Sequence, residues 1–196
     1  MPDDASPHDR SLEPVPPAPA PRRAAIAEAV HEIERHVAGA GWDGPVRVFA
    51  LVRTAAALAA DPDLARLLDA ETVAAAQADP AHLTSVEQEG LPSASNLEDL
   101  LGRLSWPSTV DGAALVVERV VLPSAAEAAM PADPDEALAY LMAHPDRQDV
   151  RIAVGVLRDG ASWCAVRARA NDDDAAVAGG ADLVPGLVAA LASTFE

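Results

Sequence analysis

Apolar positions recur along this chain with two different periods, and their order predicts the architecture. Between residues 23 and 38, Ile26, Val30, Ile33 and Val37 follow at steps of four, three and four, one narrow stripe of a helix. Glu28, Glu32 and Arg35 fall away from that stripe. The glycines of 39–45 end the helix, and a strand is expected over 46–52. Thr54 and Asp61-Pro62 read as helix starts. Residues 55–78 are therefore expected to form two or three short helices, separated at Asp61-Pro62 and near Asp69 and closed by Asp79-Pro80. Residues 82–89 alternate weakly and read as a strand that Gly90 and Pro92 stop. Asn96 caps a short helix over 97–104, with Asp99 in its first turn.

The second half is richer in strands. The Val-rich run 113–122 is the strongest strand signal in the chain. Asp133-Pro134 starts a helix over 135–143 that ends before His144-Pro145. Strands are expected over 150–157 and 162–169, joined through Arg158-Asp159-Gly160-Ala161. The Asp-Gly pair is the chemistry of a two-residue hairpin turn. After a polar loop at 171–174, Asp182 caps a last helix through 195, with Pro185 in its first turn. The hairpin makes the sheet antiparallel at least in part. The expectation is an α+β fold: a single, mostly antiparallel sheet of 4–5 strands with helices packed on one face. No internal repeat is present.

The first 22 residues break the pattern. They contain seven prolines, which lack the donor that helices and sheets need. They read as a disordered leader with PxxP spacings at Pro14–Pro17 and Pro16–Pro19, ahead of one α+β domain over 23–196.

Charge narrows the functions. Thirty-one acidic residues face 14 basic ones, all Arg, for a net charge of −17. That balance repels phosphate backbones and anionic lipid, and aromatics make up only 3% of the chain. No nucleic-acid or membrane partner is expected. A single cysteine, Cys164, excludes an intrachain disulfide and fits a reducing compartment. No basic and apolar leader opens the chain, and the charge-free stretch 183–195 is too short to span a bilayer. A cytoplasmic location is expected.

The motifs that resemble chemistry fail on geometry. Residues 39–44 match G-x-G-x-x-G, but here the glycines end a helix and precede a strand, the reverse of a dinucleotide site. His31 and His36 are spaced five apart, which turns the second about 140° from the first. One zinc cannot be held by both. His31 is expected near solvent and His36 beside the apolar stripe. Asp172, Asp173 and Asp174 lack the partners of a calcium loop. Cys164 is expected to pack with Val166 as a small apolar side chain. No nucleophile elbow, P-loop or paired-cysteine zinc pattern occurs, so no catalytic residue, metal or cofactor is assigned.

What remains is a set of candidate binding residues. Glu87 and Glu89, two apart on a strand, point the same way, either for acid–base work or cation binding, or as charges protecting a sheet edge. Arg47 and Arg53 share parity on the first strand, and Arg167 and Arg169 on the last. Arg119, with Glu118, sits in the Val-rich strand, and Arg151 and Arg158 bracket the fourth. On a face left wet, these arginines would line a cationic groove; the alternative is cross-strand pairing with Asp and Glu. His144 completes a set of Glu87, Glu89, Arg119, His144, Arg167 and Arg169.

The run from His82 to Gly90, Trp106-Pro107 followed by Ala114 to Arg119, His144-Pro145-Asp146-Arg147 and Val154 to Gly160 resemble an uncharacterised actinobacterial family of conserved hypothetical proteins. The resemblance covers about residues 24–196 and implies no assigned activity. The element order is also similar to the secretion-chaperone-like fold, whose members bind polypeptides and dimerise. This likeness is one of fold alone. A non-enzymatic protein-binding or regulatory module is expected, with homodimerisation as one mode. A small-ligand binder or enzyme with a carboxylate and Arg site is the alternative.

Overall fold

Ile26, Val30, Ile33 and Val37 do form one buried stripe, on helix α1 (Ala20–Ala38). The computed structural model describes residues 20–196, so all but the last three residues of the expected leader lie outside the described part. Helix α1 starts three residues earlier than expected. Pro21 sits in its first turn, where a missing N–H costs nothing.

Six strands form one sheet, not four or five: β1 (Arg47–Arg53), β2 (Leu83–Glu87), β3 (Gly112–Val121), β4 (Gln148–Leu157), β5 (Ser162–Ala168) and β6 (Ala178–Gly180). Their order is β2-β1-β3-β4-β5-β6, and every neighbouring pair is antiparallel. The weakly alternating segment 82–89 is indeed strand β2, at one sheet edge. The unforeseen strand, β6, is Ala-Gly-Gly. It carries no β-branched or aromatic residue and exists because it pairs with residues 164–166 of β5.

Short helices fill the connections. After β1 come α2 (Thr54–Ala60), a 3-10 turn (Pro62–Arg66) and α3 (Ala70–Ala78). Asp61 and Asp69 cap the last two, accepting from Asp63 N and Thr72 N. Asn96 caps α4 (Leu97–Leu101) through Asp99 N. Between β3 and β4 lie α5 (Ser124–Ala128), unforeseen, and α6 (Pro134–Ala143), capped by Asp133. Asp182 does not cap the last helix. Helix α7 (Pro185–Ala192) begins at Val184 with no side-chain cap, and Pro185 takes its first position.

Helices cover both faces of the sheet, which corrects the expectation of one. On one face α1 packs on Phe49, Leu51, Ala114, Val116, Ala153 and Ala165. On the other, α4 and α7 pack on Val48, Ala113, Leu115, Val117, Ile152, Val154 and Cys164. The reason lies in β3 and β4, whose residues of both parities are apolar. Such strands must be buried on both sides. Cys164 is fully buried in this second core with Val166 against it, as expected, and burial pushes its thiol pKa up.

The β4–β5 turn has three residues, not two. Leu157 N donates to Ala161 O, and Gly160 takes φ +86°, the left-handed residue of a bulged hairpin. Gly155 has a different task. A Cβ there would lie 2.5 Å from Val30 Cγ2 and 3.1 Å from Ile26 Cδ1, so glycine lets α1 approach the sheet. Gly155→Ala is expected to destabilise the fold by about 1–3 kcal/mol through overpacking, read as a lower urea midpoint at unchanged slope.

Candidate functional site

The α1 face ends in charge. Glu118 on β3, Arg151 on β4 and Arg167 on β5 are consecutive cross-strand partners, so three charged side chains stand in a row on the face that α1 covers. Arg151 is 1% exposed and Arg167 3%. Buried charge on this scale requires direct counter-charge.

Arg167 obtains it from three directions. Its Nε and Nη2 donate to Glu34 Oε1 and Oε2 at 2.6 and 2.8 Å, a bidentate pair with a carboxylate itself 2% exposed. Nη2 also donates to Asp174 at 2.6 Å and Nη1 to Asp172 at 3.1 Å. The Glu34 bond, above all, raises the Arg167 pKa still further. Asp172 and Asp174 of the 171–174 loop thus serve an internal cation, while Asp173 accepts from Ala175 N. Among the described residues no group of three His, Cys, Asp or Glu is placed to hold a metal.

Arg151 is less well served. Its Nη2 donates to Glu118 Oε1 at 2.9 Å and to the Gly41 carbonyl, and its Cζ lies over the Trp42 ring, 4.4 Å from the centroid. Nε and Nη1 are buried and have no hydrogen-bond partner. Each unmade bond costs about 1–3 kcal/mol, of which the indole face returns about 2 when desolvated. Around this group the loop 39–45 is latched down. Trp42 Nε1 donates to Asp172 at 2.8 Å, Asp43 N donates to Glu118 Oε2 at 2.7 Å, and Arg169 holds both Asp43 oxygens at 2.8 Å. Asp43 adopts φ 66°, a left-handed conformation that Asp tolerates better than most residues. As expected, Gly39 closes the helix, donating to Arg35 O.

Beside Arg151 opens a cavity of about 300 Å³. Val37, Trp42, Val116 and Val117 supply apolar wall; Asp43, Arg47 and Glu118 supply polar wall. A smaller cavity of about 160 Å³, which shares Trp42, Asp43 and Glu118, is lined by Arg119 and Arg169.

The six expected site residues do not converge. Arg119 and Arg169 share the small cavity, and Arg167 lies two residues before Arg169, buried in its own network. Arg169 itself lies just past the end of β5, in a 3-10 turn. Glu87 and Arg119 occupy opposite faces. Glu87 stands level with Ala114, so about 10 Å of sheet width and about 17 Å of strand length separate it from Arg119. Glu87 reaches Arg47 at 3.6 Å and His36 at 3.9 Å, while Glu89 lies beyond the strand, exposed. Arg119 makes only a long contact to the Glu118 carbonyl, at 3.4 Å. His144 ends α6, where its Nδ1 accepts from Asp146 N and its ring meets Tyr140.

Among the described residues the strand arginines do not share one wet face. Helix α1 covers Arg151 and Arg167, and other strand arginines are paired: Arg47 with Glu87 at 3.6 Å and Arg53 with Asp111 at 2.7 Å. Arg158 is spent on the Val110, Trp106 and Pro107 carbonyls. The two α1 histidines also exchange roles. His31 is half-buried and accepts from Trp163 Nε1 at 3.3 Å, because β5 and β6 extend beneath its side of the helix. His36 is exposed.

The family model described as PPA1309-like protein matches residues 26–196. The chain belongs to this family. The family is uncharacterised and has no assigned activity. No curated protein matches the chain, and no solved structure does.

In this PPA1309-like chain, sequence reasoning missed Glu34 and Trp42, and placed Arg151 on a wet face where the structure buries it. Glu34 carried a signal: it lies four residues after Val30, beside the apolar stripe, where a carboxylate needs a buried cation. The other face of interest is on α6, which buries none of its residues. Leu138 and Met142, one turn apart, are 59% and 53% exposed. Ala137, Tyr140, Leu141 and His144, half-buried, turn toward the body. Among the described residues no helix is long and apolar enough to cross a membrane.

Two outcomes follow from the charged row. Glu34→Gln is expected to cost about 3–5 kcal/mol by chemical denaturation, because it strands a buried guanidinium, while Asp174→Asn, at the solvent side, costs far less. Trp42→Phe tests the acid limb. Asp172 is held below its ordinary pKa by the indole donor first and by Arg167 next, and Asp43 by Arg169. Depressed carboxyl groups stabilise the fold above the unfolded value of about 3.9, and that contribution is lost as pH falls through the folded value. Without the indole donor, stability should fall less steeply below pH of about 4 than in the unsubstituted protein, followed as the urea midpoint against pH.

Proposed function

We propose that this chain is a non-enzymatic protein-binding module whose docking surface is the outer face of α6. The observation that carries the proposal is the pair Leu138 and Met142, more than half exposed on a helix with no buried residue. Apolar side chains so placed on a folded surface mark an interaction site. Met130, just ahead of the helix, is exposed as well.

Charge selects the partner. Residues 123–147 carry Glu127, Asp133, Asp135, Glu136 and Asp146 against one arginine, Arg147. Arg147 is turned back onto the Met142 carbonyl at 3.1 Å, where it caps the helix end. An apolar stripe within an acidic rim fits a basic amphipathic helix, laid with its apolar face on Leu138 and Met142 and its cations over the rim. A second copy of the chain would bring the same acidic rim and repel it.

A synthetic helical peptide of alternating Leu and Lys stripes, titrated by calorimetry, tests this directly. Binding is expected, and Leu138→Glu with Met142→Glu should weaken it about ten-fold or more. The double substitution makes the protein more negative, so attraction by net charge alone would strengthen binding instead. That result, or equal binding of a Leu and Glu peptide, overturns the proposal. Sedimentation in the absence of peptide should show a monomer; a dimer lost in the double variant would make a second copy the occupant.

A further inference from the structure

A different part of the molecule carries a second binding site. We infer that the cavity of about 300 Å³ beside Arg151 takes a small carboxylate with an apolar body, and that the ligand displaces the Trp42 ring to reach the guanidinium.

The argument is one of unequal supply. Arg151 is almost completely buried, and two of its three nitrogens have no acceptor. The acceptors nearby are spent. Glu118 is shared between Arg151 and Asp43 N, the Asp43 carboxylate is held at both oxygens by Arg169, and the Gly41 carbonyl already receives Arg151 Nη2. Arg47, in the same wall, has only a loose contact to Glu87 at 3.6 Å. The wall therefore holds guanidinium donors without acceptors. A ligand that satisfies it must bring acceptors and negative charge.

Shape and lining set the rest of the ligand. Val37, Ala40, Pro45, Val116 and Val117 supply the apolar part of the wall, and Asp43, whose carboxylate Arg169 neutralises, also borders it. A pocket of this size with a few fixed polar groups suits a small molecule and not a polypeptide. Nε and Nη1 are inaccessible while the indole lies over the guanidinium. The loop 39–45 must yield for the ligand to enter, and its grip on the sheet is by side-chain bonds to Asp172, Glu118 and Arg169.

The site is read in the intact protein by two nuclear resonances, the Arg151 Nε–H and the Trp42 indole N–H, during titration with sodium benzoate and, separately, with benzamide. Benzoate is expected to move both resonances saturably, and benzamide to bind about ten-fold more weakly or not at all. Arg47→Gln, at a more exposed position, should weaken benzoate binding without unfolding the chain. Failure of benzoate to move the Arg151 resonance overturns the inference. So does equal binding of benzoate and benzamide, which would make the cavity an apolar hollow with no use for the arginine. Neither result touches the α6 surface.

Discussion

Two guanidinium groups, Arg151 and Arg167, stand side by side on paired strands beneath a helix. An ion of this size moved into dry protein costs on the order of 20 kcal/mol in the ideal limit, and several kcal/mol after relaxation. Neither arginine can shed its proton to escape that cost. The chain must bring carboxylates to them, and much of the architecture at this end of the sheet follows. Glu34 fixes how α1 lies across β5. Asp172 and Asp174 bring the chain back after β5 toward the short strand β6. Glu118 ties β3 to the row and, through Asp43 N, holds down the loop that follows α1.

The same pair pins the register of the sheet. A slip of one residue between β4 and β5 would turn Arg167 into the second core, where Val154, Ile152 and Leu191 offer no counter-charge. A sheet whose central strands are apolar on both faces has little else to distinguish one register from the next. The charges cost stability relative to a well-packed apolar core, and here they select one pairing. Both faces of the sheet are covered, and the β3–β4 connection leaves Met130, Leu138 and Met142 exposed outside that cover.

Much of this was legible in the chain. The stripe of α1, the caps at Asp61, Asp69, Asn96 and Asp133, and the β4–β5 hairpin each follow from local physics and are present. The two covered faces were also readable, since 113–117 is apolar at every position and a half-wet strand would alternate. Strand β6 was not readable, because Ala-Gly-Gly becomes a strand only through a partner distant in sequence. Nor was the pairing of Arg167 with Glu34, 133 positions apart, although Glu34 beside the α1 stripe announced that some cation must lie beneath. The expected site residues scattered because parity on one strand says nothing about which face a helix will cover.

The claim that counter-charge at Arg167 organises this end of the fold is tested most directly by a double-mutant cycle. Stability would be measured for the unsubstituted protein, Glu34→Gln, Arg167→Gln and the pair together. The account predicts strong coupling, about 2 kcal/mol or more, with the double variant clearly more stable than the sum of single losses implies. Additive losses, within about 0.5 kcal/mol, would show that the two side chains do not depend on each other and would contradict the account.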